Sequence, residues 1–403
     1  MFFRLLLAIA VFVCITTLVH VYIFQRLVEP FLQPQHQVVG MSAVGALWLM
    51  TIVGFPLARA IPRSLRSLLE MFMFTWMGFA YLLMLVCVLT LPVSAVLHFS
   101  GRSESVLAVF VLGIASVLAW RAVHKVVRPE KLKYQVIPID KQLPNAIENL
   151  TAVVLSDVHV AGIVGEGRMR RLAKTVNALK PDLIFVTGDL VDGSVRQLAR
   201  AVMPLAQMKA TYGVFYVTGN HEFYSNPKQW REFCAQKLDW RVLSNDAQQI
   251  HVGEHIINIF GIEDRSWLRQ ANGMVRNDDR LTQAVSRIPE SDRETALNIL
   301  LAHQPKDTQS TKQQPWIDVQ ISGHTHGGQF WPLHFFVYRD QTYNTGLYTI
   351  HGSRTKLYVT EGTGFWGPPM RLGTNCEVSV LRFVSGNSMK SIPPISEESS
   401  LPS

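Results

Sequence analysis

Cysteine is scarce here: 403 residues contain four, Cys14, Cys87, Cys234 and Cys376, and no two form a Cys-x-x-Cys pair. That excludes a disulfide framework and a zinc ribbon, and it allows a reducing compartment. Charge is scarce in one region only. Residues 1–120 are nearly all apolar while 130–385 have the mixed composition of a soluble protein, so the overall 48% hydrophobic content averages two unlike parts. A net charge of +8 would suit nucleic acid if it gathered on the soluble part. Much of the excess instead flanks the apolar runs, as membrane topology requires, and nucleic acid is not the expected partner.

Four apolar runs stand out, at about Phe2–Phe24, Val38–Ala60, Leu69–Leu97 and Val106–Trp120. A helix needs about 20 residues to cross the hydrocarbon core, and three of the runs reach that length. The first has Arg4 near its start but no small-x-small cleavage site, and three more runs follow, so it reads as a retained span. Pro56 and Pro92 are expected as kinks within spans. Arg4, Arg59, Arg63, Arg66, Arg121, Lys125, Arg128, Lys131 and Lys133 fall on one side, against Arg26 and Arg102 on the other. Nine against two places both termini in the cytoplasm, which makes the chain a multi-pass protein of the inner (cytoplasmic) membrane with membrane lipids as partners. A transport path of intramembrane charges is not expected, so residues 1–120 read as an anchor of four transmembrane helices. Residues 121–149 read as a basic linker at the headgroups, interrupted by Pro129, with a first strand from Lys133.

In the soluble part, buried strands repeatedly end in polar residues. Leu150–Leu155 leads to Asp157-Val158-His159. Asp182–Thr187 leads to Gly188-Asp189, and Gly213–Thr218 to Gly219-Asn220-His221-Glu222. Leu297–Ala302 leads to His303, and Ile317–Ile321 to Gly323-His324-Thr325-His326. Helical spacing marks Gly167–Lys180, Val195–Met208 and Trp230–Leu238 between them. Any one of these pairs alone is most often surface polarity. Five strand ends carrying carboxylate, amide and imidazole in succession point instead to metal chemistry, because a C-terminal strand edge is where α/β folds place their sites and imidazole is a common metal ligand. Without thiolate, the donor set suits Mn, Fe, Co or Zn. The remaining histidines, His251, His255, His334 and His351, have no such context.

Taken together, Asp157-x-His159, Gly188-Asp189, Gly219-Asn220-His221-Glu222, His303 and Gly323-His324-x-His326 resemble the five ordered motifs of the calcineurin-like metallophosphoesterase superfamily. Gly261-Ile262-Glu263-Asp264 and Gly362-Thr363-Gly364-Phe365-Trp366-Gly367 resemble its membrane-associated bacterial branch. The resemblance covers 150–385; the apolar anchor lies outside it, and 386–403, rich in Ser and Pro, reads as a disordered tail. The resemblance implies an α/β domain of two mixed β-sheets in a sandwich flanked by helices. It further implies two divalent metal ions. Asp157, His159 and His326 hold the first, Asn220, His303 and His324 the second, and Asp189 bridges them. In the implied reaction a metal-bridged water, its pKa lowered from about 15.7, attacks phosphorus as hydroxide. His221 protonates the leaving oxygen or binds the phosphoryl group, and Glu222 stands where many members have Asp.

The expected activity is therefore a membrane-anchored dinuclear-metal phosphohydrolase cleaving a phosphoester, phosphodiester or pyrophosphate bond. Proximity to the bilayer favours a lipid-linked phosphate as substrate. The alternative is a catalytically inactive scaffold or phosphate-ligand-binding protein, which would normally show a broken motif. Arg371 reads as a plain surface arginine, with a substrate-phosphate ligand as the alternative, and Trp267, Trp331, Phe365 and Trp366 read as core or loop packing, with an apolar approach to the site as the alternative.

Overall fold

Apolar side chains without backbone partners drive the first 127 residues into helices, since a helix satisfies its own N–H and C=O groups. In the computed structural model, which describes residues 2–61, 63–100, 104–266 and 277–386, these are α1 (Phe2–Ile23), α2 (Gln37–Ala60), α3 (Arg63–Leu89), α4 (Leu91–Phe99) and α5 (Ser105–Val127). Among the described residues, four segments are long and apolar enough to cross a membrane: Leu6–Phe31, Pro34–Ala58, Leu65–Leu89 and Ser105–Val127. With Gly367–Leu372 they form one of two compact units, the other being Arg128–Trp366 with Gly373–Ser403.

Four details of the helical unit depart from the sequence reading. The third run does not continue through Pro92: α3 stops at Leu89, and Pro92 lies in the first turn of α4, where its missing N–H costs no helical bond. The fourth helix runs on through Arg121 and Lys125 to Val127, because long cationic side chains at a helix end extend toward water while the backbone stays helical. Charge is also present among the spans. Arg26 pairs with Glu104 and donates to Ser94, and Glu70 lies within α3, paired with Arg66 at 2.7 Å. Arg371 is fully buried, with its backbone N–H on the Ala122 carbonyl at 3.0 Å. It is neither a surface arginine nor among the metal-site residues.

The second unit is a sandwich of two six-stranded mixed sheets. One has the order β1-β12-β2-β3-β4-β5, formed by Lys131–Ile139, Glu377–Ser385, Ala152–Leu155, Leu183–Thr187, Val214–Val217 and Arg241–Val242. The other runs β10-β11-β9-β8-β7-β6, formed by Gly346–Thr349, Lys356–Val359, Val319–Ser322, Leu297–Leu301, His255–Gly261 and Asp246–Val252. Strands β2 to β5 are parallel, and β12 enters antiparallel to β2. Parallel strands covered on both faces read as nearly continuous apolar runs, and β8 illustrates how. Leu297, Ile299 and Leu301 enter the core between the sheets, while Leu300 faces the outer cluster with Leu281 and Val285 of the helix Asn277–Val285. Asn298, buried on that strand, donates to the carbonyls of Arg293, Ala296 and Trp316. Between β2 and β3, the helix Glu166–Ala178 buries Met169, Leu172 and Val176. Residues 387–403 of the expected tail, and Trp267, lie outside the described residues.

Candidate metal centre

Parallel strands point their C-terminal ends the same way, so residues far apart in sequence collect at one edge. Asp157 and His159 follow β2, Asp189 follows β3, and Asn220 and His221 open the helix Asn220–Ser225 after β4. From the second sheet, His303 follows β8 and His324 and His326 follow β9. The turns that deliver them are strained. Asp157, His159, Asp189, His324 and His326 all have positive φ, between 50° and 70°, a conformation that non-glycine residues adopt rarely and that concentrates at functional sites.

Close approach explains one of the glycines between them. A Cβ on Gly323 would collide with Ser156 Oγ and Asp157 Oδ2. Without it, the His324 N–H reaches both Asp157 oxygens at 3.0 and 2.9 Å and fixes that carboxylate. Glu222 does the same for the β3 turn. Its carboxylate accepts from the N–H groups of Gly219 (2.6 Å), Leu190 (2.8 Å), Asp189 (3.2 Å) and Val191 (3.3 Å). Burial, then the neighbouring Asp189 charge, push the Glu222 carboxyl up to about 7, against the N–H donors that favour its ionised form.

The side chains form two groups around Asp189. In the first, His159 Nε2 lies 3.0 Å from His326 Nε2, and His326 Nε2 lies 3.4 Å from Asp157 Oδ1. In the second, His303 Nε2 lies 3.2 Å from His324 Nδ1 and 3.1 Å from Asp189 Oδ2. The same Asp189 oxygen is 4.0 Å from His159 Nε2 and 3.9 Å from His221 Nε2. Asp157 with His159 and His326, and Asp189 with His303 and His324, are each spaced to hold an ion, as are His159, Asp189 and His221. Asn220 joins them through an atom that nothing else uses. Its amide nitrogen donates to the Tyr224 hydroxyl at 3.1 Å, leaving Oδ1 buried without a hydrogen-bond partner.

That orphaned oxygen is one test of whether divalent ions fit, since a buried polar atom without a partner is rare. The donor chemistry is another. His303 Nδ1–H donates to the Thr187 carbonyl at 2.7 Å, which turns Nε2 toward His324 and the Asp189 carboxylate, where it takes a proton or a metal ion. Acceptors converging in this way require positive charge between them. The titration directions express the same requirement. Although burial favours the neutral ring, the Asp192, Asp189 and Asp157 carboxylates raise His159 to about 9, and Asp189 holds His303 well above the usual range. Burial and the His303 charge lower His324. Asp189 falls well below the usual carboxylate range despite burial, through His303 first.

Asp192 was missed in the sequence. Its Oδ1 accepts from His159 Nδ1 at 2.8 Å and from His221 Nδ1 at 2.6 Å, so one carboxylate orients two imidazoles. Burial opposes ionisation, but those two rings bring it down to about 2. The available signal was an acid three residues after Asp189 in the same turn. His221 is half-buried between Tyr224 and Trp366, with ring centroids at 5.1 and 5.9 Å. Trp366 is exposed and Phe365 buried, so of these two aromatics only Trp366 is placed to border the site. His251, His255 and His351 are exposed and His334 is half-buried.

The calcineurin-like phosphoesterase family profile matches residues 150–328. An uncharacterized metallophosphoesterase of Helicobacter pylori is 33% identical over 268 residues, covering 66% of this chain and 68% of that protein. A transmembrane protein with metallophosphoesterase domain from Danio rerio is 34% identical over 287 residues, 67% of this chain and 61% of that one. A further uncharacterized metallophosphoesterase, from Campylobacter jejuni, is 34% identical over 247 residues, 61% of this chain and 62% of its own length. On the motifs, the two-sheet sandwich and these relatives, the chain belongs to the calcineurin-like metallophosphoesterases, metal-dependent enzymes that hydrolyse phosphate esters.

Proposed function

We propose that this protein is a dinuclear phosphohydrolase of the inner membrane, with its soluble unit in the cytoplasm and a lipid-linked phosphate as substrate. The reading is carried by Asp189 Oδ2, which stands between the His303–His324 group and the His159–His326 group (3.1 Å from His303 Nε2 and 4.0 Å from His159 Nε2). Asp157, His159 and His326 would hold one divalent ion, and Asn220, His303 and His324 the other, with Asp189 shared. When bound, such a pair supplies Lewis acidity and neutralises charge on a phosphoryl group.

The chain's own residues do the rest. Asp192 fixes the ring orientation and the Nδ1 proton of His159 and of His221, so that the Nε2 of each is turned to the site. His221 carries that Nε2 at the open side and gives a proton to the departing oxygen, while Glu222 holds the Asp189 turn in register. Burial lowers His221, but the Asp192 hydrogen bond and then the Asp189 charge carry it above its ordinary value. No motif position is broken, which weighs against an inactive scaffold.

The test uses the full-length chain in detergent, with metal analysis and turnover of a chromogenic phosphodiester. Two equivalents of metal and hydrolysis are expected. Asp189→Ala should lose metal from both positions and should lose turnover; retention of two full equivalents would sink the shared-ligand assignment. Full metal content without turnover of any phosphate ester would favour the scaffold reading instead.

A further inference from the structure

Immediately after the histidine loop the chain exposes large apolar side chains. Trp331, Leu333, Phe335, Phe336 and Tyr338 all face outward, Phe335 and Phe336 at 65% and 70% exposure. The last three lie on the eight-residue helix His334–Gln341, where Arg339 is also exposed. A cluster of this density on a water-facing surface marks an interaction site. Its composition, aromatic rings beside a cation, is that of segments lying in a membrane interface.

The cluster is fixed next to the metal-site residues. Gly328 has φ +89°, and a Cβ there would lie 2.5 Å from His334 Cα, so the first turn of the helix packs on the turn that follows His326. Gln329, the next residue, bonds to the Trp366 backbone in both directions, Nε2 to the carbonyl at 2.8 Å and Oε1 from the N–H at 3.1 Å. Trp366, itself exposed, sets its ring 5.9 Å from that of His221. Trp366 is also the last residue before Gly367–Leu372, the segment belonging to the helical unit.

We infer that this aromatic surface inserts into the headgroup–acyl boundary of the lipid bilayer, and that the catalytic cleft draws its phosphate group from the membrane plane. The occupant is the bilayer because four spanning-length helices on the same chain keep one within reach. Insertion does not depend on the phosphohydrolase reading; its effect on turnover does.

Phe336→Cys in a Cys14→Ser background is labelled with an environment-sensitive fluorophore in the full chain. The protein is then placed in nanodiscs of phosphatidylcholine and phosphatidylglycerol with brominated acyl chains. A label at Glu254, exposed on the β6–β7 turn, is the water-facing control. Bromine quenching at position 336 severalfold above position 254 is expected. Quenching equal to the control overturns the proposal, and a dry, unquenched 336 overturns it in favour of a protein partner. In parallel, Phe335→Ser/Phe336→Ser should lose about tenfold or more in kcat/KM on nitrophenyl hexadecyl phosphate while keeping its rate on nitrophenyl methyl phosphate. Equal losses on both overturn the role in presenting substrate. If the unmodified chain cleaves neither ester but 336 is quenched, the phosphohydrolase reading falls and the docking surface stands.

Discussion

One oxygen of Asp192 holds two histidines that have different work to do. His159 turns its Nε2 toward His326 at 3.0 Å, inside a buried ligand group, while His221 is half-buried with Nε2 3.9 Å from Asp189 Oδ2. The shared anchor fixes both rings, but only His159 would be lost to the metals. His221→Ala should therefore keep its metal and lose turnover by roughly 10²–10⁴-fold on an ester with an alkoxide leaving group, the usual size of acid catalysis. On a nitrophenyl ester the loss should be much smaller, because nitrophenolate departs without a proton. His324→Ala should lose metal and slow both substrates alike, since it removes a donor from the His303 group. Kinetics on the two leaving groups, beside metal analysis of each variant, separates the roles. Equal losses on both substrates for His221→Ala would make it a phosphoryl-binding residue, and a lost metal would make it a ligand.

Strand ends, not single residues, are what assemble the site, and a single methyl group tests how tightly. In Gly323→Ala the new Cβ meets Ser156 Oγ and Asp157 Oδ2, so the β9 exit must move away from the β2 exit and the two His324 N–H bonds to Asp157 are strained or lost. We expect destabilisation of about 1–3 kcal/mol by overpacking, read by urea unfolding, with reduced metal occupancy at the Asp157 side. An unchanged unfolding midpoint and full metal would mean that the turn yields and that close packing does not set Asp157. These strand exits were legible because each carries a short apolar or alternating run closed by glycine or a polar ligand, a pattern local in sequence. Pairing across distance was not. The register Lys131↔Glu377 through Ile139↔Ser385 joins two strands more than 200 residues apart, and no local pattern announces it. Asp192 escaped for a related reason: its meaning lies in His159 and His221, contributed by other turns. The break at Pro92 reads equally well as a kink, since the residues on both sides are apolar.

At the scale of the whole molecule, the charges among the spans leave the topology count unchanged. Arg26, one of the two cations on the minority side, is held by Glu104 and Ser94, yet acidic residues contribute little to the rule that sets orientation. The count therefore stands at nine against two, and the ion pair removes the cost of a charge beside the hydrocarbon core. If the four candidate helices among the described residues all cross the membrane, both termini share a side. A fluorescent protein fused after Ser403 should thus fold and fluoresce in the cytoplasm, and alkaline phosphatase fused at the same point, which requires export, should be inactive. Moving the positive charge tests the cause: replacing Arg59, Arg63 and Arg66 with Gln leaves six cations on the majority side, still more than two, so the orientation should hold. High phosphatase activity from the unmodified fusion would reverse the assignment. It would put the metal centre, and the aromatic surface beside it, at the outer leaflet, where the substrate would have to be an exported lipid phosphate.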